Sequence, residues 1–245
     1  MHYLGHTRSA HRSDHLLQTP DTFVRARLPG MKNATAIIHA APARGARFTQ
    51  YTAEFESGGE LGPAAVQRFV YVIAGRFEAG PFTLGPDHYA YFPSNAAAAL
   101  AARTDGIAVV IEKPYRPISG IPRPHSFSGS ELSVAPQALS GDPSIEVRSL
   151  VPDQVQFDFA VNTMTYQPGA TLPMVEIHVM EHGLLMLAGG GIYRLGDGWY
   201  PVETGDFIWM APHCPQWFGA LGKTPAKYLI YKDWNRHPLT HEPED

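Results

Sequence analysis

Residues Gly169–Gly191 read GATLPMVEIHVMEHGLLMLAGGG, and the fold follows from how this stretch is read. Glu176, His178, Met180 and His182 fall on alternate positions. In extended backbone, residues two apart point to the same face of a sheet. A carboxylate and two imidazoles then converge on one face, with Met180 between them. Divalent cations of hard to intermediate character accept that mixture of oxygen and nitrogen donors. Leu184-Leu185-Met186-Leu187 and the three glycines after it read as a buried strand that closes in a tight turn. The stretch is therefore expected to be a metal site built on β-strands.

Upstream, short apolar segments at Ala34–His39, Arg47–Phe55, Arg68–Ile73, Tyr89–Phe92 and Ile107–Glu112 alternate with turn residues. The turns are expected at 42–45, at Ser57-Gly58-Gly59, at 79–81 and at 85–87. With 23 glycines, 22 prolines and little helical periodicity, this spacing predicts an all-β sandwich or small barrel. Residues 1–22 read as an irregular polar arm whose His2, His6, His11 and His15 are solvated or pack on a neighbouring subunit. From Lys113 to Ser144 six prolines interrupt a polar run, which reads as an ordered connector with one short helix near Ser133–Leu139.

The two halves repeat. Arg68–Leu100 lies over His182–Phe218 in one frame of strand, glycine turn, strand, second turn and aromatic strand, with Gly75 on Gly189 and Pro93 on Pro212. A period of roughly 115 residues means two copies of one domain. In that register Glu176, His178, His182 and Gln216 fall on Gly62, Ala64, Arg68 and about Ala97. The first copy has no metal-binding side chain at these places, so the chemistry is expected in the second alone.

A net charge of −4 with no long basic run argues against nucleic acid or an anionic membrane as partner. The single cysteine, Cys214, precludes an intrachain disulfide and suits a reducing, cytoplasmic setting. The N-terminus lacks the apolar core of a signal peptide, and no stretch is long and apolar enough for a membrane span. Cys214 reads as a small buried filler. Trp199, Trp209, Trp217 and Trp234 read as core or interface, and Asp206 as a turn carboxylate bonded to local backbone. In Lys227–Asp233, Tyr228, Ile230 and Lys232 share one face. A lysine directed into a barrel is costly unless it meets an anion.

The spacing Glu176-x-His178-x3-His182, followed by Pro212-x3-Gln216, resembles the two motifs of the cupin superfamily, with Glu and His exchanged and Gln in place of the last His. This permutation, with KYLIYKDWNRHP and QRFVYVIAG, resembles the (S)-ureidoglycine aminohydrolase family; Gln67 replaces that family's usual acid. The resemblance implies a bicupin, two cupin-type β-barrels in one chain. Its parts would be an arm (1–22), a lobe without metal ligands (23–112), the connector (113–144) and a metal-binding lobe (145–245). It implies Mn2+ held by Glu176, His178, His182 and Gln216. A small ureide substrate would meet Glu176, Gln216, Tyr228, Lys232 and Tyr193, with Glu176 and Lys232 catalytic and Lys232 on the carboxylate. It also implies a homo-oligomer. Two other readings stay open: a different metal-dependent bicupin enzyme, such as an oxygenase or isomerase, and a non-enzymatic bicupin that binds a small molecule.

Overall fold

The computed structural model describes residues 6–233 and 236; His2 and Trp234 lie outside the described residues. No helix in it is long and apolar enough to cross a membrane. The chain forms two compact β-units, one from residues 6–23, 136–149 and 159–233, the other from 24–135 and 150–158.

The first unit holds an eight-stranded antiparallel sheet and a three-stranded one. In the larger sheet, His182–Ala188 lies between Phe207–Met210 and Ala226–Lys232, and Ala160–Tyr166 and Asp142–Ser149 follow. Gly190–Leu195 is the middle strand of the smaller sheet, flanked by Gly198–Glu203 and Gln216–Ala220. Inward residues of both sheets, among them Leu184, Met186, Leu195, Phe218, Tyr228 and Ile230, make one apolar core. Each such fully buried side chain contributes about 1.5–3 kcal/mol.

The second unit repeats the strand order. Gln67–Ala74 lies between His88–Phe92 and Gly106–Lys113, followed by Thr49–Leu61 and Met31–Ala40. The turn glycines repeat as well. Gly75 and Gly189 have φ of 90° and 64°, and a Cβ on either would come within 2.5 Å of a carbonyl oxygen, that of Asp105 or Pro225. Only glycine accepts both the positive φ and the close approach.

Several local expectations are corrected. Ser57-Gly58-Gly59 is not a turn between strands: Thr49–Leu61 runs through it as a bulge, with the pairing stepping from Ala34↔Phe55 to Lys32↔Glu60. The short helix near Ser133–Leu139 is absent. A single 3-10 turn, Glu131–Ser133, precedes Pro136, and Gln137–Leu139 is a strand. Proline disfavours helical backbone in the residue before it, which accounts for the difference.

The arm is also ordered as strands rather than irregular. Ala10–His11 pairs with His15–Gln18, which adds to the edge of Phe207–Met210. His6 and His11 are exposed, but His15 is buried inside its own unit, with Nδ1 2.9 Å from Asp14 Oδ1 and Nε2 2.9 Å from the Tyr200 hydroxyl. Arg8 donates to both oxygens of the fully buried Asp206 at 2.6 and 3.0 Å and to Glu203 at 2.7 Å. Asp206 also accepts from the Glu203 amide, the local backbone bond expected of it. Trp209 is buried, whereas Trp199 is 58% exposed and meets Trp217 edge to face.

His39, on Met31–Ala40, is fully buried with Nε2 2.9 Å from Thr52 Oγ1, and burial pushes its imidazole down to about 3. Unfolded, the group titrates near 6.5. Between those values the unfolded chain binds a proton that the folded chain refuses, so stability falls as pH drops below about 6.5 and levels off near 3. From pH 7 to pH 5 this group alone should cost the fold about 2 kcal/mol. Urea unfolding at the two pH values should show that much less acid sensitivity in His39→Gln than in the wild type. Equal sensitivity would contradict the assignment.

Candidate active site

Glu176, His178, His182, Tyr193, Gln216, Tyr228 and Lys232 line one cavity of about 130 Å³, with Leu139, Met164, Leu172 and Ile230 completing the wall. All of them belong to the first unit. A space this small suits a compact polar molecule rather than the larger ligands that fill pockets of several hundred Å³.

The backbone that gathers these residues is not the continuous strand expected from their alternation. Of the alternating Glu176, His178 and His182, only His182 opens a strand, while Thr171 and Glu176 make isolated bridges to Gly219 and Gln216. Pro173 lacks the amide hydrogen that a continuous ladder needs. Position is instead enforced by pairwise bonds. Glu176 N donates to Gln216 O at 2.8 Å, Gln216 N returns a bond to Glu176 O at 2.9 Å, and His213 N donates to His178 O at 2.6 Å. The two acidic and amide side chains are therefore held on one antiparallel bridge, and the His178 backbone on the turn before it.

His182 Nδ1 lies 2.8 Å from the Glu181 carbonyl oxygen, which can only accept. The proton therefore sits on Nδ1, and Nε2 is left with the lone pair. Burial, reinforced by Lys232 and His178, lowers this imidazole to about 3, so it is neutral at physiological pH. The His178 and His182 rings are 5.0 Å apart, and His178 Nε2 is 3.0 Å from Glu176 Oε2. Tyr193 donates its hydroxyl to Gln216 Oε1 at 3.0 Å, which fixes the amide oxygen and leaves it a second lone pair. Tyr193 thus orients Gln216 as well as lining the wall. A neutral imidazole, a second imidazole, a carboxylate and an oriented amide oxygen form a donor set that suits an intermediate divalent cation.

On the strand beside His182, Lys232 loses basicity to desolvation, opposed by the charge of Glu176. Burial raises Tyr193 and Tyr228 well above the ordinary phenol range, so both remain protonated. The Tyr228 hydroxyl is 2.8 Å from that of Tyr166 and 3.3 Å from Met164 Sδ. Sequence reasoning overlooked Tyr166, although its parity with Met164 in Ala160–Tyr166 puts it on the same face.

The second unit fills the matching place differently. His182 is registered with Lys232, and by the same pairing Arg68 is registered with Glu112. Arg68 Nε donates to Glu112 Oε1 at 2.7 Å and Nη1 to the Gly62 carbonyl at 2.7 Å, while the Tyr51 hydroxyl donates to Glu112 at 3.2 Å. An ion pair occupies the register that His182 and Lys232 hold in the first unit.

Another group of metal-ligating types, Asp14, His15 and Cys214, has ligand atoms within 4.8 Å of one another. Both nitrogens of His15 are already hydrogen bonded, and burial raises the Cys214 thiol to about 11, in keeping with a filler.

Residues 162–231 match the family model described as Cupin domain. The chain is 42% identical to a rice protein (Oryza sativa subsp. japonica) named "Probable (S)-ureidoglycine aminohydrolase", over 96% of this chain and 78% of that one. It is 40% identical to the (S)-ureidoglycine aminohydrolase of Arabidopsis thaliana, over 96% of this chain and 80% of that one. Among solved structures, the protein Ylba of E. coli superposes with a TM-score of 0.83 at 28% identity, over 94% of this chain and 96% of that one.

Proposed function

The chain belongs to the (S)-ureidoglycine aminohydrolase family, and from that premise we propose how its cavity carries out the reaction. The protein is an enzyme that hydrolyses (S)-ureidoglycine to (S)-ureidoglycolate and ammonia. The observation that carries the reading is the convergence of Glu176, His178, His182, Gln216, Tyr228 and Lys232 on one small cavity.

Glu176, His178, His182 and Gln216 would hold the cation, for which we propose Mn2+. When bound, the ion supplies Lewis acidity toward the substrate and toward water. The substrate carries an amine, a ureido group and a carboxylate on one carbon. The bond from that carbon to the amine nitrogen breaks, a bond to a water oxygen forms, and one water proton ends on the departing ammonia. Glu176 is the carboxylate best suited to carry that proton. Lys232 binds the substrate carboxylate, and the Tyr228 hydroxyl, bonded to Tyr166, hydrogen bonds the substrate in one pose. Charge at one end and a fixed donor at the other favour a single enantiomer. The branched aliphatic walls of Leu139, Leu172 and Ile230 leave little room for a larger group.

We place the enzyme in the cytoplasm, in keeping with the single, buried Cys214, and propose that it works as a homo-oligomer.

Product analysis tests the reaction. With (S)-ureidoglycine prepared immediately before use, the enzyme should give ureidoglycolate of one hand and ammonia in equal amounts, with no oxygen uptake. A no-enzyme blank is required, because an amine and a ureido nitrogen on one carbon expel ammonia spontaneously. Oxygen uptake, or ammonia no faster than the blank, would overturn the reading.

A further inference from the structure

We propose that Asn162 is the positioning residue of Lys232, holding its ammonium on the substrate carboxylate; the inference rests on the reading of the cavity given above. Asn162 is buried in Ala160–Tyr166, opposite Ile230 of the strand that carries Lys232. With the amide oriented by its hydrogen bonds, Oδ1 accepts from Lys232 Nζ at 3.3 Å and Nδ2 donates to the Val161 carbonyl at 3.0 Å. The reverse orientation would set the NH2 group against an ammonium and the oxygen against a carbonyl, so only one arrangement satisfies both ends.

Two physical reasons make this amide more than a packing contact. A flexible four-carbon side chain in a cavity samples many rotamers, and one accepted bond restricts where its ammonium sits. The acceptor is also neutral. A carboxylate at this place would pair with Lys232 and cancel the charge that recruits the substrate, as Glu112 does to Arg68 in the other unit. An amide oxygen takes one of the three Nζ protons and leaves the full positive charge, and further donors, for a carboxylate ligand.

Asn162→Asp is the diagnostic variant, because it is nearly isosteric and sets a negative charge against Lys232; it also gives up the donation to the Val161 carbonyl, a loss that a Lys232→Met background holds constant. It should raise KM for (S)-ureidoglycine about 30-fold, the scale of a charge-assisted bond, with a smaller change in kcat. In a Lys232→Met background the same substitution should change KM less than about threefold, since nothing is left to position. Calorimetric binding of the stable product, (S)-ureidoglycolate, separates the two possible failures. A wild type that binds product without turning over substrate would count against the proposed reaction, leaving the role of Asn162 to be read from product affinity. An Asn162→Asp protein with wild-type KM and wild-type product affinity would overturn the role of Asn162. So would an equal effect with and without Lys232, or a wild type that binds no ureidoglycolate.

Discussion

Replacing His178 by alanine should lower ammonia release at least about a thousandfold and remove the bound manganese, while leaving the fold close to its wild-type stability. The separation is the informative part. His178 is half-exposed at the cavity and is held by its backbone, through the amide of His213, and by one bond to Glu176. Losing a partly exposed imidazole changes stability by no more than about 1 kcal/mol. His182 would be a poorer choice, because it is buried in the sheet and its truncation would leave a hole costing about 2–5 kcal/mol. A directly coordinating group should matter more than the outer residues around a metal, whose loss already costs about 10–100-fold. Metal analysis, ammonia release and thermal unfolding of one His178→Ala preparation give all three numbers. Full manganese content in an inactive variant would mean that His178 acts on substrate rather than as a ligand. Full activity would remove it from the site.

Lys232→Met is the second large effect. Methionine nearly matches the length and apolar stem of lysine, and its flexible thioether fills the same space, so packing changes little. What disappears is the positive charge facing a substrate carboxylate. KM should rise by about 30- to 100-fold, kcat by contrast should fall modestly, and manganese content should stay at the wild-type level. An unchanged KM would refute the carboxylate role and would leave Lys232 as a structural partner of Asn162.

Much of this arrangement could be read from the order of residues, and the exceptions share a cause. The repeat was legible because glycine at a positive φ is demanded twice, at Gly75 and Gly189, and each sits at the same step of a strand pair. The cavity residues were legible because their chemical types are costly to bury singly. Their backbone was not. Alternation pointed to one strand, whereas Glu176 and His178 approach through a loop tied down by Gln216 and His213, about 35–40 residues further on.

Non-local pairing hid the remaining features. The polar arm looked irregular because the partner of His15–Gln18 is Phe207–Met210, nearly the whole length of the chain away. Burial of His15 depends on that pairing and on Tyr200, and neither is visible in MHYLGHTRSAHRSDHL, which shows only its neighbour Asp14. The Arg68–Glu112 pair needed the cross-strand register before its charges could be seen to meet. Asn162 was passed over for the same reason, since its partner Lys232 is on the neighbouring strand.

The central claim is that one cation held by Glu176, His178, His182 and Gln216 makes this cavity hydrolyse (S)-ureidoglycine. Its most direct test is ammonia release by protein stripped of metal and then titrated with Mn2+, read against a no-enzyme blank. Release that is lost on stripping and returns in proportion to manganese, reaching its plateau at one ion per chain, is the predicted result. Undiminished release from stripped protein, or stoichiometric manganese with no release above the blank, would contradict it.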